Sequence, residues 1–241
     1  MATVKEHYGQ VLSDVYSWMF GGFDKGIERN VHFFQKHKIT PAHSRVAIDL
    51  GSGCGFQAIP LAKAGFSVTA IDIDNKLLHE LACNSKEWNI KIVEDDLIHF
   101  DKYISGQAEL IVCMTDTLAH LESKEKALSL FDKAFAALEN QGKFIITFRD
   151  LSSELSELDR FIPVKSDENI IFTCFLEYEP ETVKVHDIIY RKENQKWCLH
   201  KSYYRKLRLS QNWVEAQLSR IGFTIVESTI ESGFVTLIAS R

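Results

Sequence analysis

The sequence lacks several features that mark particular classes of protein. It has four prolines in 241 residues, no run of five or more consecutive Lys or Arg residues, and a net charge of −5. It also has no apolar stretch that approaches the length of a membrane-spanning helix, about 18 residues. We see no apolar leader near its amino terminus. These absences argue against a nucleic-acid partner and a membrane partner, and they predict a cytoplasmic location.

The cysteines give no sign of a structural cross-link or a metal site. The five are odd in number and widely spaced, and no Cys-x-x-Cys pair occurs. We therefore predict neither a disulfide framework nor a bound metal, in keeping with a reducing environment. With 45% hydrophobic residues, residues 1–241 suit one α/β domain with a sizeable core.

The most informative stretch is 46–55, which reads Val-Ala-Ile-Asp-Leu-Gly-Ser-Gly-Cys-Gly. Its apolar half indicates a strand buried on both faces, and the glycines allow a tight turn that a ligand can approach closely. A helix predicted from about residue 56 to 64 would point its free amides at that ligand. The stretch therefore predicts a cofactor-binding loop. The candidate contacts are Asp49, Gly51, Ser52, Gly53 and Gly55.

Two classes of cofactor compete for this loop. A nicotinamide dinucleotide fold requires Gly-x-Gly-x-x-Gly, but the third glycine of that pattern is replaced here by Phe56. Asp49, two residues before the first glycine, would repel a pyrophosphate but would pair well with an ammonium group. The loop favours a cofactor that carries an ammonium group, and a nicotinamide-dependent oxidoreductase is the alternative.

Strand and helix patterns alternate up to about residue 150, which predicts a doubly wound, mostly parallel sheet. Ligands bind at the carboxyl ends of such strands. Asp72 and Ile73 follow the second predicted strand, at the spacing where an acid can accept hydrogen bonds from ribose hydroxyls. The third predicted strand ends in Glu-Asp-Asp-Leu, which contains Asp96 and Leu97.

The two ends of the chain and the region after residue 150 have other patterns. Residues 1–40 predict an N-terminal helical cap that breaks at Gly21-Gly22. Residues 151–208 predict an inserted β-rich lobe, with an antiparallel meander of three strands from about residue 170 to 204. A helix predicted over 211–221 and two closing strands would complete the sheet.

These pieces together resemble the class I S-adenosylmethionine-dependent methyltransferases. Within that class the segment Asp-Thr-Leu-Ala-His-Leu at 116–121 is similar to the Asn-Ser-Phe-Ala-His-Leu of glycine and sarcosine N-methyltransferases. The resemblance implies a seven-stranded Rossmann-like sheet with an antiparallel C-terminal strand. It also implies that the chain binds S-adenosyl-L-methionine, transfers its methyl group in line to a small molecule, and releases S-adenosyl-L-homocysteine.

The resemblance also assigns roles to residues. Asp49 and the loop would hold the methionine end, Asp72 the ribose, and Asp96 with Leu97 the adenine, with Asp95 as the alternative acid. Met114, Tyr16 and Trp18 would contact or cover the cofactor, although each also suits the core.

The predicted catalytic residues are Asp116, His120 and Arg149. Arg149 matches an arginine that pairs with a carboxylate on the acceptor, so the resemblance implies a carboxylate-bearing acceptor; a structural salt bridge is the alternative. Asp116 stands where the family has asparagine, and it could hold or deprotonate an amine or a hydroxyl. His120 could be a general base or a packed side chain. A non-catalytic cofactor-binding module and a methyltransferase acting on RNA or protein are alternative functions.

Overall fold

The computed structural model describes residues 3–241, which form two β-sheets and seven α-helices. The strands are β1 (Val46–Leu50), β2 (Ser67–Asp72), β3 (Ile90–Glu94), β4 (Ala108–Cys113), β5 (Leu138–Arg149), β6 (Phe161–Ser166), β7 (Ile170–Tyr178), β8 (Thr182–Glu193), β9 (Lys196–Leu207), β10 (Thr224–Glu231) and β11 (Phe234–Ser240). The helices are α1 (Val4–His7), α2 (Tyr16–Met19), α3 (Phe23–Lys36), α4 (Ala58–Lys63), α5 (Asn75–Asn84), α6 (Lys124–Ala137) and α7 (Gln211–Ile221).

The larger sheet has seven strands in the order β10-β11-β5-β4-β1-β2-β3. The pairs among β1 to β5 are parallel, whereas β11 pairs antiparallel with both β5 and β10. The order reverses at β1 and β4, so the carboxyl ends of these strands flank the crevice where such sheets bind ligands. This arrangement confirms the predicted fold, including the antiparallel C-terminal strand.

The core lies on both faces of this sheet. Ile48 and Leu50 pack with helices α6 and α7, while Ala47 packs on the opposite face with α3, α4 and α5. Strand β4 is buried along its whole length. Burial on both faces explains why these strands read as continuous apolar runs in the sequence.

Three helices of the larger domain core begin at side-chain caps. The side chains of Asp74, Ser123 and Ser210 each accept a hydrogen bond from a backbone N–H three residues later, at the starts of α5, α6 and α7. Such caps satisfy amide groups that have no partner within the helix. The cap at Asp74 starts α5 directly after the second strand, which ends at Asp72.

The smaller sheet has four antiparallel strands in the order β6-β7-β8-β9. Three were predicted as a meander, and β6 was missed because Pro163 interrupts a short segment of mixed polarity. Phe172 and Ile189 on one face of this sheet pack against Val11 and Val15. These two valines belong to the N-terminal segment, residues 3–20, which precedes the glycine break. The N-terminal segment therefore joins the smaller sheet to the rest of the protein.

The N-terminal segment is less regular than the predicted cap. Between α1 and α2 it forms a π-helical turn over Tyr8–Leu12 and a 3₁₀ turn over Ser13–Val15. The break at Gly21-Gly22 separates α2 from α3, as predicted. The first two residues of the predicted cap, 1 and 2, lie outside the described residues. Within 3–241, no helix is both long enough and apolar enough to cross a membrane.

Candidate functional site

A cavity of about 440 Å³ opens at the carboxyl edge of the larger sheet. Its walls come from the strand ends of that sheet, from the N-terminal segment, and from β8 and β9 of the smaller sheet. The predicted site residues that line it are Tyr16, Gly51, Gly53, Asp72, Ile73, Asp96, Leu97 and His120. The predicted residues outside its lining are Asp49, Ser52, Gly55, Met114, Trp18, Asp116 and Arg149.

The three glycines of the loop all have positive φ, at 72°, 51° and 95° for Gly51, Gly53 and Gly55. A Cβ on Gly51 would collide with Thr117, and one on Gly55 would collide with Leu81. Gly53 has more room, because its nearest neighbours would lie 3.8 Å from a Cβ. Gly51 and Gly53 both line the cavity, but only at Gly53 does the loop leave room for a Cβ, whereas Gly51 and Gly55 permit close packing.

Asp49 is fully buried behind the loop, with 1% of its surface exposed. The N–H of Ala58, at the start of α4, donates to its carboxylate. Its Oδ2 has no hydrogen-bond partner among residues 3–241, and the buried hydroxyl of Ser52 also lacks one there. Burial, and then the charge of Asp72, raise the pKa of Asp49 to about 8. A buried carboxylate with a free oxygen suits a ligand that donates hydrogen bonds and carries positive charge.

Asp72 is positioned by backbone donors. The N–H of Gly53 donates to Oδ2 at 2.7 Å, and the N–H of Asp74 donates to Oδ1 at 2.8 Å. Burial raises the pKa of Asp72 to about 6, against the effect of these hydrogen bonds. A carboxylate has about four acceptor positions, so Asp72 can still accept from two ligand hydroxyls.

The structure distinguishes the two acids that follow β3. Asp96 lines the cavity with Leu97, and its Oδ1 accepts from the N–H of Ile98. Asp95 is turned away, because the hydroxyl of Tyr103 donates to its carboxylate at 2.6 Å and holds its pKa well below the ordinary value. Asp96 is thus placed to meet a ligand in the cavity, and Asp95 is not.

The turn after β4 contains two consecutive non-glycine residues with positive φ, Thr115 at 57° and Asp116 at 70°. This conformation is costly and often occurs at functional sites. Asp116 accepts from the N–H of Arg149 at 2.5 Å and from Nζ of Lys206 at 2.8 Å. Although burial opposes ionisation, these partners hold the pKa of Asp116 below its ordinary value. The carboxylate is therefore charged and fixed just behind the cavity wall.

His120 follows on the same turn and lines the cavity. Burial, and then the nearby charge of Lys206, lower its pKa to about 3, so the imidazole is neutral at physiological pH. Its ring stacks on Tyr204 at 5.2 Å, and Nε2 lies 3.5 Å from the hydroxyl of Tyr8. Nδ1 is buried, with no partner in the described part of the chain. This nitrogen therefore has an unused position for a hydrogen bond.

Three predicted site residues point elsewhere. The indole N–H of Trp18 donates to Asp167 at 2.6 Å, so this side chain joins the N-terminal segment to the smaller sheet. The guanidinium of Arg149 lies over the ring of Phe234 at 5.9 Å, outside the cavity. Met114 is buried in the core.

Cysteine chemistry has no support at this edge of the sheet. Burial raises the pKa of the Cys113 thiol, so it is not poised as a nucleophile.

Lys206 is a cavity residue that had no signal in the sequence. It comes from the last strand of the smaller sheet and belongs to no local motif. It reaches the cavity only because the two sheets pack together.

Comparison with known proteins agrees with the geometry. Residues 47–142, which contain the glycine loop and strands β1 to β4, match the family described as a methyltransferase domain. This match confirms the predicted resemblance to the class I S-adenosylmethionine-dependent methyltransferases. The cofactor of that class is S-adenosyl-L-methionine, and the free oxygen of Asp49, the room at Gly53 and the open acceptor positions of Asp72 fit that molecule.

Individual relatives are distant. A protein of Geobacillus sp. (strain WCH70) described as a methyltransferase is 23% identical over 190 residues, with 76% of each chain covered. A glycine/sarcosine N-methyltransferase of Aphanothece halophytica is 25% identical over 112 residues, which is 46% of this chain and 42% of that enzyme. The sugar N-methyltransferase KedS8 of Streptoalloteichus sp. ATCC 53650 superposes with a TM-score of 0.72 at 12% identity, over 100% of this chain and 97% of that one. The last likeness shows a shared fold.

Proposed function

We propose that this methyltransferase transfers a methyl group to a small molecule held between its two sheets. The observation that carries this proposal is the shape of the cavity, whose walls include Thr182, Lys206 and Leu207 from the smaller sheet opposite Gly53 and Asp72. Its volume falls within the about 300–1,000 Å³ of small-ligand sites. Residues 151–208 are therefore proposed as the substrate lobe, and residues 1–40 as a cap over the cofactor.

The cofactor is proposed to lie along the edge of the larger sheet. Asp49 would receive its ammonium group through the oxygen that has no partner within residues 3–241, and Asp72 would accept from its ribose hydroxyls. Asp96 would accept from the adenine amino group, with Leu97 against the ring. Tyr16 from the N-terminal segment would cover it, since this side chain lies within 3.8 Å of a Cβ built on Gly53.

Alignment and exclusion of water are the main catalytic contributions. When bound, the cofactor supplies a sulfonium methyl group that a lone pair can displace in line. The acceptor would form its new bond to the methyl carbon while the electron pair of the broken bond stays on sulfur, and the methylated acceptor would give up its proton to water as it leaves the cavity. Holding the two partners in near-attack geometry is worth about 7–11 kcal/mol.

An amine nitrogen is the acceptor atom that we propose. The relatives named above include a glycine/sarcosine N-methyltransferase and a sugar N-methyltransferase. His120 would orient the amine through Nδ1, which is neutral and buried at the cavity wall. A carboxylate on the acceptor is a further proposal. Lys126, which lines the cavity, is the cation placed to receive it, whereas Arg149 lies outside.

The test is transfer of methyl-labelled S-adenosyl-L-methionine into a cell extract, followed by separation of small molecules from macromolecules. We expect label in the low-mass fraction with the wild type and a large loss with Asp72→Ala. Asp95→Ala is the matched control, because Asp95 follows the same strand but lies outside the cavity lining. Label confined to protein or RNA would contradict the proposal.

A further inference from the structure

The acceptor side of the cavity contains an ion pair that joins the two sheets. Lys206 on β9 and Asp116 after β4 are 2.8 Å apart, with side chains only 13% and 18% exposed. The second oxygen of Asp116 accepts from the backbone N–H of Arg149. Both oxygens of the acid are thus engaged, and its charge is offset by a cation from the smaller sheet.

The pair lies close to the cofactor loop. Thr115 and Thr117, on either side of Asp116, both line the cavity, and Thr117 fills the space next to Gly51. The rings beside the pair carry no charge at neutral pH. Burial raises the pKa of Tyr8 and of Tyr204 well above the ordinary value, and His120 is neutral. Lys206 and Asp116 are therefore the ion pair at this end of the cavity, and the acids Asp72 and Asp187 also act on Tyr8.

Building on the proposed transfer to a small molecule, we propose that Lys206 is a specificity-determining residue. By neutralising Asp116, it removes the preference for an ammonium ion that a lone carboxylate would create, so that a nucleophile that arrives uncharged, such as a free amine or a hydroxyl, can occupy the acceptor end of the cavity.

The physical reason is the sign of the field at the acceptor. A lone Asp116 carboxylate would stabilise a protonated amine, which has no lone pair to attack with. It would also favour the positively charged cofactor over its neutral product. With Lys206 paired to Asp116, neither preference arises, because the opposite charges cancel at a distance of several ångströms.

The test compares the binding of two ligands that differ by one methyl group and one positive charge. S-adenosyl-L-methionine and S-adenosyl-L-homocysteine are titrated calorimetrically into the wild type, Lys206→Met, Lys206→Arg, Asp116→Asn and the double variant Asp116→Asn/Lys206→Met, at about pH 8 so that a lone carboxylate stays ionised. Lys201→Met is the matched control, because Lys201 lies on the same strand but is exposed.

Lys206→Met should raise the preference for the charged ligand by about tenfold, the effect of one unit charge about 10 Å away at an effective dielectric constant of about 20. Asp116→Asn should lower that preference by a similar factor. Lys206→Arg, the double variant and Lys201→Met should keep the wild-type ratio. A general loss of structure would weaken the binding of both ligands equally and would leave the ratio of their affinities unchanged.

A wild-type ratio in both Lys206→Met and Asp116→Asn would overturn the inference while leaving the proposed function intact. If Lys206→Met does not fold, as judged by thermal unfolding, Asp116→Asn and the double variant decide the question. Failure of the proposed function has a different signature: label from the cofactor reaches only macromolecules, whatever the ligand ratio.

Discussion

Replacing Asp49 by asparagine should stabilise the ligand-free protein and weaken its binding of the cofactor. Asp49 is buried in β1, and its pKa is raised to about 8, first by burial and then by the charge of Asp72. Asparagine has nearly the same shape but no charge. The substitution therefore removes the cost of holding a proton on this carboxyl in the folded state, and it also removes the group that would ionise to pair with an ammonium group.

The magnitude follows from the shift in pKa. The pKa of Asp49 rises from an ordinary value of 3.8 to about 8, a change of about 4 units. Each unit corresponds to about 1.4 kcal/mol. Because the pKa is raised in the folded state, the cost is absent below about pH 4, grows as the pH rises to about 8, and is constant above that. At pH 7 the upper limit is about 4 kcal/mol, and partial hydration of the carboxylate would reduce it.

The assay is urea unfolding of the wild type and Asp49→Asn at pH 5, 6 and 7 without ligand. The stability of the variant relative to the wild type should increase by up to about 3 kcal/mol between pH 5 and pH 7. Asp72 is present in both proteins, so its own titration largely cancels. A difference that does not change with pH would refute the reasoning, and so would a variant that binds S-adenosyl-L-methionine as tightly as the wild type.

Three further predictions follow from the packing. Gly53→Ala should lower the stability by about 1–2 kcal/mol and should remove much of the cofactor affinity. Gly55→Ala should lower the stability more, because its Cβ collides with a buried leucine. Thermal unfolding measures the stability and calorimetry the affinity, and two variants that behave alike would contradict the prediction. Asp187→Ala leaves Nε2 of the buried His7 without its hydrogen-bond partner, 2.7 Å away, and should cost about 1–3 kcal/mol; an unchanged free energy of unfolding in urea would be inconsistent with it. Glu109 accepts from three backbone N–H groups and its pKa is lowered, so Glu109→Gln should lose about 2 kcal/mol at neutral pH. That loss should shrink as the pH falls through the lowered pKa, and a constant difference in acid would argue against this role.

The parallel core could be predicted because its signals are local. Strands buried on both faces are continuous apolar runs, and the glycine loop at 51–55 must follow the first of them. Helix α7 was predicted with its observed bounds, since Ser210 caps its start and Gly222 ends it in a left-handed conformation.

The walls of the cavity were harder to predict. Strand β6 was missed, and the N-terminal segment proved to be a series of short turns, because tertiary contacts rather than periodicity hold both in place. Trp18 and Arg149 were predicted from local likeness. Their directions depend on distant partners, Asp167 on the smaller sheet and Phe234 on β11.

Lys206 could not be predicted as a site residue either, because its position also depends on a distant partner. It lies 90 residues from Asp116 along the chain, and no spacing rule connects the two positions. The likeness at 116–121 identified the aspartate as a departure from asparagine, but the cation that offsets its charge came from another sheet. The effect of Asp116 on the charge of the site can therefore be assessed only together with Lys206, its partner in the ion pair.

The most direct test of the central claim is a crystal structure with S-adenosyl-L-homocysteine bound. The adenine should contact Asp96 and Leu97, the ribose hydroxyls should lie within hydrogen-bond distance of Asp72, and the sulfur should face the space between Thr117 and His120. A ligand bound elsewhere, or one whose sulfur faces away from the smaller sheet, would contradict the account.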